Sequence, residues 1–225
     1  MINDARIRVI IGHYGSGKTE FSVNYAIKLA KQSDKKVAIA DLDVVNPYFR
    51  SRERHEIMEE AGVTVISSIM GNGVNFDLPS MDPGILGPLQ NKDYNVVLDV
   101  GGDAAGARVM ARYKKYLVEG DYDMFAVVNC SRPETQSVDG IIMHIKAIES
   151  TVGVKVTGII NNTHMLRETT VDHVMHGQQV IQQAAKKLEI PIVYTSAIPS
   201  VAEVLPSQVE GELLSINMYM RDAWM

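Results

Sequence analysis

The chain has a single cysteine, Cys130, in 225 residues, and only 6% of its residues are aromatic. One thiol cannot close an internal disulfide, and it cannot supply the paired spacing of a cysteine zinc site. Positive charge is not in excess either. The 22 lysines and arginines stand against 27 aspartates and glutamates, a net charge of −5. Non-specific hold on nucleic acid needs a basic surface facing phosphates, and attraction to anionic lipid needs the same. Neither nucleic acid nor membrane is therefore expected as a partner. No apolar run reaches the roughly 20 residues of a membrane span. The opening stretch, MINDARIRVIIGHYGSGKTE, turns glycine-rich after a short apolar segment, unlike a secretion signal. A reducing, cytoplasmic setting is the expectation.

What is present is ordinary globular material, 46% hydrophobic and 22% charged, which suits one domain over residues 1–225. Short Val- and Ile-rich runs predict strands at 7–11, 37–41, 63–67, 95–99, 124–129, 156–161 and 192–196. They are apolar at successive positions, the pattern of strands buried on both faces. Helix-period segments lie between them at 19–31, 52–61, 108–118, 137–150 and 172–188. Such alternation predicts a doubly wound α/β sheet of about seven mostly parallel strands, with ligands at the carboxyl rim. Residues 68–93 carry Gly71, Gly73, Pro79, Pro83, Gly84, Gly87 and Pro88 and read as one long loop. Residues 209–224 place Val209, Leu213, Ile216 and Met220 on one helical stripe, which predicts a helix packed on the domain or on a second copy.

The strongest signal is Gly12-His13-Tyr14-Gly15-Ser16-Gly17-Lys18-Thr19, which fits G-x-x-x-x-G-K-[ST] between a predicted strand and a predicted helix. The glycines let backbone N–H groups turn inward as an anion nest, and the helix start adds its positive dipole end. Lys18 would reach the β- and γ-phosphates, and Thr19 would bind the Mg²⁺ that bridges them. Residues 95–99 end in Asp99, followed by Val100-Gly101-Gly102. Asp99 would join the Mg²⁺ shell, and Gly102 would let its N–H approach the γ-phosphate. Asp41 and Asp43 follow the second strand, one to support the metal and one to orient the attacking water. Arg50 and Arg52 are candidates to meet phosphate charge.

These segments resemble the ATPases grouped with MinD, ParA, the nitrogenase iron protein and the CobQ/CobB synthetases. The shared features are GHYGSGKT, DLDVVNP after the second strand and DVGG after a later one. The resemblance implies a nucleotide-binding ATPase in which Asp43 positions the water and Asn162, with Asn161 next, contacts adenine. Ile198-Pro199 resembles the segment that lines the base. A guanine site in related GTPases would want Asn-Lys-x-Asp, whereas this chain runs Asn162-Thr163-His164-Met165, so ATP is expected over GTP. Many members carry a second lysine after the first loop glycine, which reaches a dimer partner's nucleotide. His13 stands there in this chain.

Mg-ATP hydrolysis is thus the expected activity, and three uses of it are open. One is a switch acting on a protein client or a second copy, a homodimer. Another is a small-molecule ligase or kinase of the CobQ/CobB or dethiobiotin-synthetase type. The third is metallocentre maturation, for which Cys130 is the one soft ligand and His173 and His176 sit three apart on a predicted helix.

Overall fold

A computed structural model describes residues 4–43, 55–67 and 83–219. Among them are eight strands: β1 (Ile7–Gly12), β2 (Lys36–Asp41), β3 (Val63–Ser67), β4 (Tyr94–Gly101), β5 (Tyr122–Val128), β6 (Gly158–Asn161), β7 (Ile192–Ala197) and β8 (Glu212–Ser215). They form one sheet in the order β3-β2-β4-β1-β5-β6-β7-β8, with every pairing parallel. The helices are α1 (Lys18–Gln32), α2 (His55–Glu60), α3 (Pro83–Gln90), α4 (Ala104–Ala111), α5 (Val138–Val152), α6 (Val171–Leu188) and the short α7 (Pro199–Ala202).

Parallel pairing explains the unbroken apolar runs. On β4, Val96, Leu98 and Val100 join one hydrophobic cluster, while Val97 joins another on the opposite face. On β1, Val9 and Ile11 take the first side and Ile10 the second. The first cluster draws in α4, α5 and α6 through Met110, Ile145 and Ile181; the second holds α1 through Phe21 and Tyr25. Both faces are dry, so neither alternates with polar residues. The strands' order reverses at β1, whose neighbours β4 and β5 lead away in opposite directions. Ligands of open α/β sheets bind outside the carboxyl ends of strands at such a switch point.

Three expectations are corrected. The stripe at 209–224 is not helical where it is described, because β8 adds an eighth strand beside β7, pairing Leu214 with Ser196. Leu214 and Ile216 are both buried, a period of two that the helical spacing of Val209, Leu213 and Ile216 masks. Gly211, at φ +84°, makes the turn into it, and a Cβ there would sit 2.8 Å from the Tyr194 nitrogen. Second, the predicted 68–93 loop contains α3, which carries Pro88 within it and buries Ile85 and Leu89; residues 68–82 lie outside the described ones. Third, the helix expected at 108–118 starts earlier and ends at Ala111. Asp103 caps it by accepting from the Gly106 N–H at 2.7 Å.

Candidate functional site: the loop between β1 and α1

β1 ends at Gly12 and α1 begins at Lys18, so residues 13–17 form the connecting loop at the switch point. Gly15 and Gly17 have φ of +75° and +80°, where a side chain would be strained. The loop is tied from outside. The Asn162 Nδ2 donates to the Ser16 carbonyl at 2.7 Å, and the Ser196 Oγ donates to the Asn162 Oδ1 at 2.7 Å. The Arg132 Nε donates to the Gly15 carbonyl at 3.1 Å. Gly102 packs beneath, where a Cβ would fall 2.2 Å from the Gly12 carbonyl oxygen and 2.8 Å from the His13 nitrogen. Only glycine lets β4's end approach the loop backbone this closely.

Lys18 is buried, with its Nζ 2.7 Å from the Asp43 Oδ2. Burial alone would lower its pKa, but Asp99, Asp43 and Asp41 outweigh that and hold it above the ordinary value. Asp41 Oδ1 accepts from the Asp43 N–H at 3.0 Å, which fixes the turn after β2. Asp99 is fully buried, and burial pushes its pKa up to about 6 against the pull of Lys18 and the Thr19 hydroxyl. Its Oδ1 accepts from the Ser22 Oγ at 3.2 Å, and its Oδ2 meets no hydrogen-bond donor. That spare buried oxygen next to a threonine hydroxyl fits Mg²⁺, which takes one or two carboxylates and completes its shell with water and phosphate. Thr19 and Asp99, with Asp41 close by, are the residues that would hold it.

Beside the loop opens a cavity of about 500 Å³ whose wall includes Gly15, Gly17, Lys18, Thr19, Arg132 and Asn162. Ile198, Ile216 and Met218 line it as well. The last two come from the segment after β8, which is stitched to α1. The Asn217 N–H donates to the Asn24 Oδ1 at 2.8 Å, the Asn24 Nδ2 returns to the Asn217 carbonyl at 2.8 Å, and the Tyr219 N–H donates to the Glu20 Oε1.

The expected site residues divide accordingly. Gly12, Gly15, Ser16, Gly17, Lys18, Thr19, Asp41, Asp43, Asp99, Gly102 and Asn162 converge on the loop. Asn161 does not. Its Nδ2 donates to the Val174 carbonyl at 3.1 Å and to the Gln178 Oε1 at 3.3 Å, so its amide is turned toward α6 and away from the cavity. Pro199 opens α7, and its neighbour Ile198 is the one on the cavity wall. Asn46, Pro47, Arg50 and Arg52 lie outside the described residues. His13 lies with its Nδ1 3.8 Å from the Glu134 Oε2 and its ring 5.5 Å edge-on from that of His144. Arg132, Ser196, Ile216 and Met218 were not expected. The signal for Arg132 was its place just past a predicted strand end; the others carried none.

The two candidate sets of metal ligands have other surroundings. Cys130 is buried, and burial pushes its thiol up to about 11, so it offers no surface thiolate. His173 caps the start of α6, accepting from the Thr170 N–H at its Nδ1, 3.1 Å away. Among the described residues no cluster of three or more His, Cys, Asp or Glu side chains would hold a metal ion, and no helix is long and apolar enough to cross a membrane.

No protein-family model matches the chain, and no curated protein matches it. Solved structures do. The cell division protein FtsY of Thermotoga maritima is 25% identical over 85% of this chain and 61% of its own, with a TM-score of 0.57. A nucleotide-binding protein of Archaeoglobus fulgidus in complex with ADP is 19% identical over 85% of this chain and 81% of its own, at 0.50. The signal recognition particle receptor FtsY of Elizabethkingia anophelis, in complex with GDP, is 16% identical over 87% and 58%, at 0.57. The chain thus spans about three fifths of the FtsY chains it matches. These similarities join the strand–loop–helix geometry at Gly12–Thr19 in one conclusion: the chain has the P-loop NTPase fold.

Proposed function

We propose that this protein is a Mg-ATP-dependent P-loop ATPase that acts as a nucleotide-controlled switch on a protein client or a second copy of itself. The observation that carries this is the surrounding of Lys18: an ammonium at the head of α1 with Asp43, Asp41 and Asp99 about it. A triphosphate entering the loop would draw the ammonium toward its β- and γ-oxygens and loosen its ion pair with Asp43. Asp43 would then accept a hydrogen bond from a water and aim it at the γ-phosphorus. A water–phosphorus bond would form as the bond to the β–γ bridging oxygen breaks, ADP leaving with that electron pair and both hydrogens of the water staying on the inorganic phosphate formed. Thr19 and Asp99 would hold Mg²⁺, which would supply charge neutralisation to the phosphates. Loss of the γ-phosphate would release Asp43 back to Lys18, which couples hydrolysis to the segment after β2.

The preference for adenine rests on the run Asn162-Thr163-His164-Met165, which lacks the carboxylate that reads guanine. Since the Asn162 amide is engaged with Ser16 and Ser196, the base would be chosen by this missing carboxylate more than by that amide. Calorimetric titration with Mg-ATP, Mg-ADP and Mg-GTP tests the proposal, together with phosphate release. ATP and ADP are expected to bind at one site per chain and GTP at least tenfold more weakly. Equal or tighter GTP binding overturns the base assignment, and absence of binding by any of the three overturns the function.

A further inference from the structure

Arg132 has a placement that the proposed reaction has not used. It sits in the turn between β5 and α5, and that turn is tightly built. The Arg132 N–H donates to the Asn129 carbonyl at 3.1 Å, the Thr135 N–H to the Arg132 carbonyl at 3.1 Å, and the Thr135 Oγ1 to the Asn129 carbonyl at 2.8 Å. From this rigid base the side chain crosses the tip of the phosphate loop. A Cβ on Gly15 would fall 2.9 Å from the Arg132 Nε and 3.2 Å from its Cζ, so the guanidinium lies directly on the Gly15 backbone. A guanidinium carries five N–H donors in a planar fork. Among the described residues its only side-chain hydrogen bond is the one from Nε to the Gly15 carbonyl. No described carboxylate is within ion-pair distance of it; Glu134, two residues on, lies toward His13. The side chain also lines the cavity that Lys18 and Thr19 line. A half-buried cation thus lines the same cavity as Lys18, with a carbonyl as its hydrogen-bond partner and most of its donors unassigned.

We infer that Arg132 binds the terminal phosphate of the nucleotide from the outer side of the loop and stabilises the charge that develops on it during transfer, as an arginine supplied by the same chain. The inference rests on the proposed ATPase function and adds a residue to it. The bond from Nε to Gly15 holds the fork in register, and the remaining N–H groups match phosphate oxygens two at a time.

The test compares wild type with Arg132→Ala and Arg132→Gln, the latter keeping an amide donor for Gly15 without the charge. Affinities for the non-hydrolysable triphosphate AMPPNP and for ADP are measured with Mg²⁺, followed by single-turnover hydrolysis of ATP. Both variants are expected to lose tenfold or more in AMPPNP affinity while ADP affinity stays within about threefold. Their hydrolysis rate should fall roughly a thousandfold or more, the low end of arginine contributions to phosphoryl transfer. Equal losses for AMPPNP and ADP would make Arg132 a brace for the loop and overturn the inference. So would wild-type behaviour of Arg132→Gln. A wild type that binds neither nucleotide would instead overturn the ATPase function itself, an outcome distinct from either.

Discussion

Lys18, the first residue of α1, and Asp43, two residues beyond the end of β2, meet at 2.7 Å with both side chains buried. The contact joins the phosphate loop to the turn after a strand two positions away in the sheet, and Asp99 of the intervening strand shares the same ammonium. Removing Lys18 would leave buried carboxylates without their cation. Lys18→Ala is expected to destabilise the nucleotide-free protein by about 3 kcal/mol and to abolish nucleotide binding. Urea unfolding and calorimetry check the two parts. Asp43→Asn should keep ATP affinity within a few-fold and slow phosphate release by roughly a hundredfold or more. Parallel loss of both would remove the water-orienting role.

Gly102 offers a steric test. The Gly12 carbonyl oxygen lies only 2.2 Å from where a Cβ on Gly102 would be, and backbone cannot yield as a flexible side chain does. Gly102→Ala is expected to lower stability by about 2 kcal/mol and to disrupt the loop enough to abolish ATP binding. A variant with wild-type melting temperature and affinity would show that β4 and the loop are not packed this closely.

The adjacent asparagines should separate. Asn162→Ala removes the donor to Ser16 and the acceptor of Ser196, so it should weaken ATP binding tenfold or more and cost about 1–3 kcal/mol in stability. Asn161→Ala breaks contacts to α6 and should show a similar stability loss with ATP affinity unchanged. Identical effects on affinity would contradict the assignment of Asn161 to α6 and Asn162 to the loop.

His144 predicts a pH dependence. Burial, with the neighbouring His13 adding to it, pushes its pKa down to about 4 from 6.5, and its Nε2 has no hydrogen-bond partner. The folded-state value is below the unfolded one. Above pH 6.5 there is no penalty; between 6.5 and about 4 the unfolded chain takes up a proton that the folded chain refuses, so stability falls as pH falls. His144→Gln should lessen the loss between pH 7.5 and 5 by at most about 2 kcal/mol. Urea midpoints at the two pH values measure it, and an unchanged difference would count against this origin.

Cys130 should be inert. Its thiol is pushed up to about 11 by burial, and thiolate is the reactive form. At pH 8 the folded protein should react with a disulfide reagent at least a hundredfold more slowly than the urea-unfolded chain. Fast labelling of the native protein would restore it as a metal-ligand candidate.

Much of this was legible along the chain. Seven strands were readable because parallel strands buried on both faces are continuous apolar runs, and the phosphate loop was readable because its chemistry depends on glycine spacing and one lysine. Where the reading failed, the deciding fact lay elsewhere in space. The stripe at 209, 213 and 216 fits a helix until β7 offers a parallel edge, and then the burial of Leu214 and Ile216 governs.

Local periodicity and backbone freedom were enough to set seven of the eight described strands, the loop that can turn its N–H groups inward and the carboxylates at the strand ends. The tertiary structure alone decided that Asp43 pairs with Lys18, that Asn162 and not Asn161 braces the loop, and that Arg132 lies across Gly15. These are contacts between segments distant in the chain, and their geometry depends on strand order and on which way a side chain points at a strand's end.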